Sequence, residues 1–467
     1  MSYNGSGTFQ INSSGQPVVT GTVISSTAFN ALTADLATGL STAITKDGQT
    51  TTTVRVPFAQ GISSTLVTDA TSAITGSIIT AGGISTQKAL WVGTTATVAG
   101  ATTLAATTAT SLTVSGTTTL SGGANIANLG GANKIINGDM RIDQRNAGAA
   151  VTTLGSYPVD RFQQSFSHDG AQSFQQSSTV PAGFSTSVKF TTTTADASLA
   201  ATQYSMLRHI IEGRNIADLN WGTADAKAVT LSFWVRSNLT GTFGGALTNA
   251  AGDRSYPFTY VINSANTWES KSVTVAGDTS GTWLTTTGIG IDIRLSLGAG
   301  STYSGTAGSW AAANYISATG AVAPISTLSA TWYITGLKLE VGSVATPFIA
   351  DDYEVSFAKC QRYYQVVGVT SQYQYYPYVG ANNTSTTAWF GVTFPVNMRV
   401  APTVAASGAY INEASVGINS ATMAWVGGFT YGGLLQATVA SGLTAGRAST
   451  LFNNNAGSGA ITYDAEY

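Results

Sequence analysis

The sequence contains few charged residues. Of its 467 residues, 9% are Asp, Glu, Lys or Arg, whereas soluble proteins average about 25%. The formal net charge is -2, and Lys and Arg form no run. Nucleic-acid binding depends on clustered basic side chains that attract phosphates. DNA and RNA are therefore not expected as partners.

Long hydrophobic runs are also lacking. Hydrophobic residues make up 43% of the chain, but Gly, Thr, Ser and Asn interrupt them before the roughly 18 that a membrane-spanning helix needs. No membrane span is predicted. The first residues, MSYNGSGTFQ, have neither the basic start nor the apolar core of a secretory signal, so we expect synthesis in a cytoplasm.

Cysteine and histidine are scarce. Cys360 is the single cysteine, which excludes an intrachain disulfide. We expect it to be buried as a small hydrophobic side chain. His168 and His209 have no partner at metal-ligand spacing, so neither a zinc site nor a histidine-assisted nucleophile is expected. A glycosidase needs only two facing carboxylates. Six carboxylates are candidates, and the sequence leaves their pairing open: Glu212, Asp225, Asp253, Glu269, Asp278 and Asp292.

One stretch near the start predicts a helix. In SSTAFNALTADLATGLSTAI, Ser26 is the expected N-cap, and five apolar residues recur at spacings of three and four. They are Phe29, Leu32, Leu36, Leu40 and Ile44. Because the helix is rich in Thr and contains Gly39, it should be marginal alone. We therefore expect it to self-associate or to dock on another protein within an N-terminal segment, 1–61.

The next segment, 62–132, is rich in Thr, Gly and Ala. TVAGATTL at 97–104 returns as TVSGTTTL at 113–120, which repeats four larger residues on a Thr background: Val98, Leu104, Val114 and Leu120. Branched side chains favour β structure, and such repeats bury a face by associating with copies of themselves. We interpret the segment as a thin β-rich shaft built from several chains. A disordered linker is the alternative.

The rest of the chain is predicted to be all-β. Six of the nine tryptophans lie within 133–349, where segments such as VTLSFWVRS alternate apolar and polar residues between turns. This pattern predicts a jelly-roll β-sandwich. The remainder, 350–467, opens with a short helix and continues as a smaller β domain.

Aromatic residues cluster in this last domain. Four tyrosines flank Pro377 and precede a Gly/Asn loop, which suggests that some are exposed. Flat rings beside Asn and Gln suit sugar recognition, because the ring stacks on C–H faces while amides bond hydroxyls. The alternative is that alternate tyrosines line the core. The candidate glycan-binding residues are Tyr373, Tyr375, Tyr376, Tyr378 and Trp389.

Three sets of motifs resemble bacteriophage tail fibre proteins. Residues 1–51 look like the tail-attachment segment of podovirus-like fibres. A second set of motifs resembles a jelly-roll module of receptor-binding proteins, which is itself similar to carbohydrate-binding modules. This set comprises NKIINGDMRIDQRN, YPVDRF, IEGRNIADLNWGTADAKAVTLSFWVRSNLTGTF, NTWESKSVTVAGDTSGTW and TWYITGLKLEVGSVATPF. A third set resembles the distal domain that follows this module, and it comprises AKCQRYYQVVG, VNMRVAPTVAASG and the terminal DAEY.

The resemblance implies an elongated homotrimeric fibre in the virion. Segment 1–61 would bind the tail tube or an adaptor or nozzle protein, and the C-terminal domain would bind bacterial surface polysaccharide without chemistry. A tailspike-type depolymerase and a purely connecting tail protein are the alternatives. Such jelly rolls often hold a structural calcium, for which the matching positions are Asn137, Asp139 and Glu340. For Asp139, a salt bridge or turn role is the other interpretation; no other cofactor is expected.

Overall fold

A computed structural model describes two compact units of the chain, Met1–Thr118 and Thr119–Tyr467. The described residues are 2–3, 9–10, 19–21, 23–41, 133–413, 416–419, 422–454 and 457–467. The predicted shaft and Ile44 lie outside them. Within these ranges, no helix is long and apolar enough to cross a membrane.

The described part of the first unit contains the predicted helix. Two short strands, β1 (Ser2–Tyr3) and β2 (Phe9–Gln10), pair antiparallel, and α1 follows at Ser26–Ser41. The expectation that Ser26 is the N-cap is wrong: the Ser25 hydroxyl accepts a bond from the Ala28 N–H at 3.2 Å, so the preceding residue caps the helix. Phe29, at the start of the apolar stripe, is exposed.

The second unit begins with a β-sandwich, as its alternating segments predict. Its strands are β3 (Phe162–Ser167), β4 (Ala171–Ser177), β5 (Ser187–Thr194), β6 (Tyr204–Glu212), β7 (Val229–Ser237), β8 (Gly241–Thr248), β9 (Ser255–Ile262), β10 (Glu269–Val275), β11 (Ile289–Ala299), β12 (Ser304–Gly305), β13 (Ser317–Ala318) and β14 (Thr331–Val341). The first sheet has the order β10-β7-β14-β5-β4, and the second has the order β3-β6-β11-β8-β9.

Alternation along the strands builds the core between the two sheets. In β7, Leu231, Phe233 and Val235 are buried in the core, whereas Ser232 and Trp234 lie on the outer face. Burial of large apolar side chains is the main favourable contribution to folding. The sandwich therefore keeps one outer face per sheet for other roles.

The outer face of the second sheet is covered by the chain itself. The Asn314 amide oxygen accepts a bond of 2.6 Å from Arg294, and Arg294 also pairs with Asp292 at 2.9 Å. Burial alone would raise the pKa of Asp292, but Arg294 and Arg208 outweigh it and lower the pKa. The loop around Asn314 thus seals this face over a buried ion-pair network.

The chain enters the sandwich at Asn133, against the central strand β14. The Asn133 side chain donates to the Leu337 carbonyl and accepts from the Leu339 N–H, both at 3.0 Å. The Lys134 N–H donates to the Leu339 carbonyl at 3.0 Å. The entry point is therefore bonded to a strand that is itself paired on both sides.

A helix and ten strands follow the sandwich. They are α2 (Tyr353–Gln361), β15 (Tyr364–Val369), β16 (Tyr375–Asn382), β17 (Thr387–Thr393), β18 (Thr403–Ser407), β19 (Ala409–Glu413), β20 (Val416–Asn419), β21 (Thr422–Phe429), β22 (Gly432–Thr438), β23 (Ala448–Asn453) and β24 (Gly459–Asp464). A three-stranded sheet, β15-β24-β18, accompanies a seven-stranded sheet of order β20-β19-β23-β16-β17-β22-β21. Cys360 is buried on α2, as predicted.

A buried ion pair joins the sandwich to this C-terminal part. Arg161 pairs with Glu466, donates to the Ile210 carbonyl at 2.6 Å, and stacks 3.4 Å from the centre of the Tyr363 ring. The side chains of Arg161 and Glu466 are 1% and 4% exposed, so water screens this pair little. The Arg161 backbone has a φ of 72°, which is uncommon for a residue other than glycine.

A second ion pair lies at the same junction. Arg362 makes two bonds to Glu212, at 2.6 and 2.8 Å, and the Tyr363 hydroxyl donates to Glu212 at 2.8 Å. Burial would raise the pKa of Glu212, but these bonds lower it overall. Arg399 donates to the Thr287 carbonyl at 3.0 Å. Charged bonds thus connect the two parts at several points.

Candidate functional site

Strand alternation divides the predicted tyrosines into two groups. Tyr375 is 57% exposed, whereas Tyr376 and Tyr378 are 2% and 7% exposed. The Tyr376 hydroxyl donates to the Ser407 carbonyl at 3.1 Å, and the Tyr378 hydroxyl accepts from Tyr463 at 3.0 Å. Burial raises the pKa of Tyr376 to about 12. Tyr376 and Tyr378 are therefore core residues that cannot stack on a glycan, which corrects the expectation for these two.

The other predicted aromatics are accessible. Tyr373 precedes β16 with a φ of 65°, and its N–H donates to the Asn453 carbonyl at 2.7 Å. Its ring is exposed, and Trp389 on β17 is 38% exposed. Tyr373, Tyr375 and Trp389 thus keep the exposure that glycan contact requires.

Two of these rings form pairs with amide side chains on the outer face of the seven-stranded sheet. The Asn412 amide donates to the Tyr375 hydroxyl at 3.0 Å. The Trp389 indole N–H donates to the Gln436 amide oxygen at 3.0 Å, and the two residues are directly opposed across β17 and β22. We call these the two ring–amide pairs. Each bond fixes the orientation of a ring that remains in contact with solvent.

The pairs leave hydrogen-bonding capacity for a ligand. In the described part of the chain, the Gln436 NH₂ group and the Asn412 amide oxygen have no protein partner. A free donor therefore accompanies the Trp389 ring, and a free acceptor accompanies the Tyr375 ring. This combination of an apolar surface and a placed polar group is typical of ligand sites.

The two pairs lie far enough apart to contact different parts of a chain-like ligand. Trp389 pairs in register with Ala381, which is six residues beyond Tyr375 on β16. Because of the register shift in β16, this stretch lies opposite Phe452 to Ala448 of β23, which is four residues, or roughly 13 Å at about 3.3 Å per residue. Val379, between them, is 71% exposed. The outer face is thus an elongated platform and not a closed pocket.

Several residues of this face were not predicted from the sequence. Asn412 and Gln436 lie on strands distant in sequence from β16, so their position follows from strand pairing alone. Phe429 and Tyr431 are a further exposed pair, with parallel rings whose centres are 5.2 Å apart. The signal for this pair was the GGFTYGG stretch, in which two aromatics sit in a glycine-rich hairpin.

Asn137, one of the residues matched to a calcium site, instead holds a turn. Its amide donates to the carbonyls of Ile142 and Asp160, both at 2.9 Å, and its amide oxygen accepts from the Ile142 N–H at 2.9 Å. With a φ of 60°, Asn137 adopts a conformation that Asn tolerates better than most residues. Its oxygen is thus already engaged.

The two carboxylates matched to the calcium site are engaged with cations. Asp139 forms a salt bridge with Arg141. Glu340 accepts bonds from the Thr346 N–H and hydroxyl at 2.8 and 2.6 Å and pairs with Lys338 at 3.1 Å. Among the described residues, no cluster of three or more His, Cys, Asp or Glu could hold a metal. In this structure the three matched side chains are thus engaged with protein groups, and Asp139 has the salt bridge that was its other interpretation.

Four of the six candidate carboxylates are also paired with basic side chains. Glu212 pairs with Arg362, Glu269 with Lys271, Asp278 with Arg254, and Asp292 with Arg208 and Arg294. The Asp253 carboxylate accepts a bond from the Asn249 amide at 2.6 Å. A glycosidase acid and base must both face the scissile bond. Carboxylates held in ion pairs are poorly suited to that task.

The solved structures to which the chain is similar share little sequence with it. No family model matches it, and no curated protein matches its sequence. The enzymatically active domain of bacteriophage CBA120 tailspike protein 4 is 12% identical over 45% of this chain, with a TM-score of 0.26, and 21% of that chain is covered.

Carbohydrate-binding modules are among the other similar structures. TmCBM61 in complex with β-1,4-galactotriose is 10% identical over 39% of this chain and 88% of its own, with a TM-score of 0.21. The family 11 module from Clostridium thermocellum in complex with a mixed-linked tetrasaccharide is 9% identical over 43% of this chain and 99% of its own, with a TM-score of 0.22. At such scores, none of these similarities carries an argument about function.

Proposed function

We propose that this protein is a bacteriophage tail fibre that binds polysaccharide on the bacterial surface through the outer face of its seven-stranded sheet. The observation that carries the proposal is the two ring–amide pairs, Tyr375 with Asn412 and Trp389 with Gln436. Each presents an oriented ring for the C–H face of a sugar and a free amide group for a hydroxyl. Their separation suits a polymer better than a single sugar.

Assembly would strengthen such binding. An open face gives weak individual sites, and several linked sites gain avidity through effective concentration. A homotrimer held together by the predicted shaft, 62–132, would present three copies of the face. Segment 1–61, whose helix exposes Phe29, would attach the fibre to the tail tube or to an adaptor or nozzle protein. In this proposal the protein is located in the virion.

The proposed activity is binding without cleavage. The ion pairs of Glu212, Asp278 and Asp292 support this, because they leave these carboxylates without the freedom to act as acid and base. A tailspike-type depolymerase remains the alternative function.

Replacing Tyr375 and Trp389 together by Ala should weaken adsorption of the purified protein to host cells by tenfold or more, since about 1.4 kcal/mol of lost contact energy corresponds to a tenfold change. Adsorption is measured by co-sedimentation with cells. Tyr353→Ala, which removes an exposed tyrosine from α2, is the matched control and should adsorb normally.

Two outcomes would contradict the proposal. Unchanged adsorption of the double variant would show that the outer face is not the binding site. Shortened polysaccharide chains after incubation with the wild-type protein would show that the protein is a depolymerase.

A further inference from the structure

A groove on the outer face of the first sheet has no role in the function proposed above. Its floor is formed by outward-facing residues of β7 and β10, and its wall by Phe184 and the segment 345–348. The groove has a volume of about 440 Å³. Small-molecule sites occupy about 300–1,000 Å³, so the groove is large enough for a ligand of that class.

Three aromatic rings line the groove. Trp234 lies on the floor, and the rings of Phe184 and Phe348 meet in the wall with centres 5.4 Å apart. Gly336, in a bulge of β14 with a φ of 64°, brings the floor and wall together. A Cβ there would lie 2.7 Å from Phe184 and 3.2 Å from Trp234. Glycine at this position therefore lets the rings approach each other closely.

Three serine hydroxyls accompany the Trp234 ring. Ser270 is directly opposed to Trp234, and Ser272 to Ser232, so the three serines neighbour Trp234 on the same face of the sheet. Ser270 and Ser272 are exposed and Ser232 is half-buried. No side-chain hydrogen bond to a described residue engages any of these hydroxyls. They are available to donate to and accept from a ligand.

The charge in the lining of the groove is already paired. Lys271 is the charged residue among those lining it, and it pairs with Glu269 at 2.6 Å. The wall is fixed by the two bonds from Thr346 to Glu340 and by a bond of 3.3 Å from Lys338 to the Pro347 carbonyl. The site is therefore held in shape before a ligand binds, and it offers no free charge.

We infer that this groove binds a neutral saccharide, separately from the outer face of the seven-stranded sheet. One pyranose ring stacks its C–H face on Trp234, and its hydroxyls bond to Ser232, Ser270 and Ser272. The absence of an unpaired charge at the lining residues favours neutral sugars over uronic acids and other anionic sugars. The groove adds a second sugar site to each chain.

The test uses the full chain with Tyr375 and Trp389 both replaced by Ala, so that the first site is disabled. Short neutral gluco-, galacto- and manno-oligosaccharides are screened by saturation-transfer NMR, and the affinity of the strongest binder is measured by calorimetry. We expect binding to persist in this background, Trp234→Ala to weaken it by about tenfold, and Trp234→Phe to retain most of it.

Ser270→Val provides a second variant on an exposed strand, where loss of the hydroxyl should weaken binding while the fold is retained. If Trp234→Ala does not fold, Ser270→Val alone tests whether the groove binds the saccharide. The inference is overturned if no neutral oligosaccharide binds the background protein, or if the folded groove variants bind as tightly as the background. Either result leaves the adsorption test of the proposed function unaffected, because that test changes the other site alone.

Discussion

At the scale of the residue, His209 is buried without the partners that an imidazole normally has. It is 1% exposed, its ring lies 4.7 Å from the Phe162 ring, and neither ring nitrogen has a hydrogen-bond partner in the described part of the chain. Burial, followed by the nearby Arg161 cation, lowers the pKa of His209 well below 6.5. The folded protein therefore holds this histidine neutral.

Acid should consequently destabilise the protein through His209. The unfolded chain protonates this group as the pH falls below about 6.5, while the folded chain does not, so the free energy of unfolding decreases by up to about 1.4 kcal/mol per pH unit. His209→Leu should reduce the loss of stability between pH 7 and pH 5, as measured by urea unfolding. His168→Leu, which changes the half-buried histidine bonded to Gln172, is the control. If the free energy of unfolding depends on pH equally in wild type and His209→Leu, His209 is not the buried neutral group that causes the loss of stability.

Glu466 is the residue on which the junction depends most directly. Glu466→Ala would leave Arg161 buried and unpaired, and breaking a buried ion pair in this way costs about 3–5 kcal/mol. We expect a loss of this size in the free energy of unfolding, measured with urea. Asp464→Ala is the control, because the Asp464 side chain is 41% exposed and lies 3.7 Å from Arg145, and exposed pairs contribute at most about 1 kcal/mol. Similar effects of the two variants would show that the Arg161 pair adds little.

At the scale of the element, the sequence predicted a β domain with an aromatic cluster in it, but not which tyrosines face the solvent. Alternation requires that Tyr375 lie on one face and Tyr376 on the other. The same alternation continues through Pro377, so Tyr378 lies on the face of Tyr376, beside Tyr463 in the core. The amide partners on the proposed binding face come from β19 and β22, which are distant from β16 in sequence. Local pattern could therefore identify the aromatic cluster without identifying its exposed members.

The motifs that resemble tail fibres have a structural role at the junction. QRN contributes Arg145, VDRF contributes Arg161, AKCQRYY contributes Arg362 and Tyr363, and DAEY contributes Glu466. Arg145 lies 3.5 Å from Glu466 and 3.6 Å from the centre of the Tyr364 ring. The sequence shows these charged and aromatic residues but not that they meet, because up to 321 residues separate the partners. The connection of the two parts therefore explains their pattern.

At the scale of the whole molecule, the alternation of apolar and polar residues predicted the β-sandwich, whereas the low charge gave no indication of the buried ion pairs. Basic and acidic residues are few, yet many are used in buried pairs such as Arg161 with Glu466 and Arg254 with Asp278. Composition cannot reveal this, because it counts charges without locating them. Resemblance likewise matched residues to a calcium site without locating the protein groups that engage them in the structure.

The trimer proposed for the fibre predicts the mass of the protein in solution. Light scattering should give three times the mass of one chain. Replacing Val98, Leu104, Val114 and Leu120 together by Ser should shift the mass towards that of a single chain, because the repeat then has no large apolar residue to bury. Thr97→Ser with Thr113→Ser is the matched control in the same repeat. A wild-type monomer would contradict both the shaft and the trimer.

The attachment of Asn133 to β14 has a mechanical consequence. Any tension along the chain at this point passes through the bonds of Asn133 and Lys134 into the centre of the first sheet, where neighbouring strands on both sides share the load. From there it reaches the C-terminal part through the salt bridges of Glu212 and Glu466. If the protein is the fibre proposed above, a particle tethered to a moving cell would pull along this path, and the paired strands and buried charges would resist the shear.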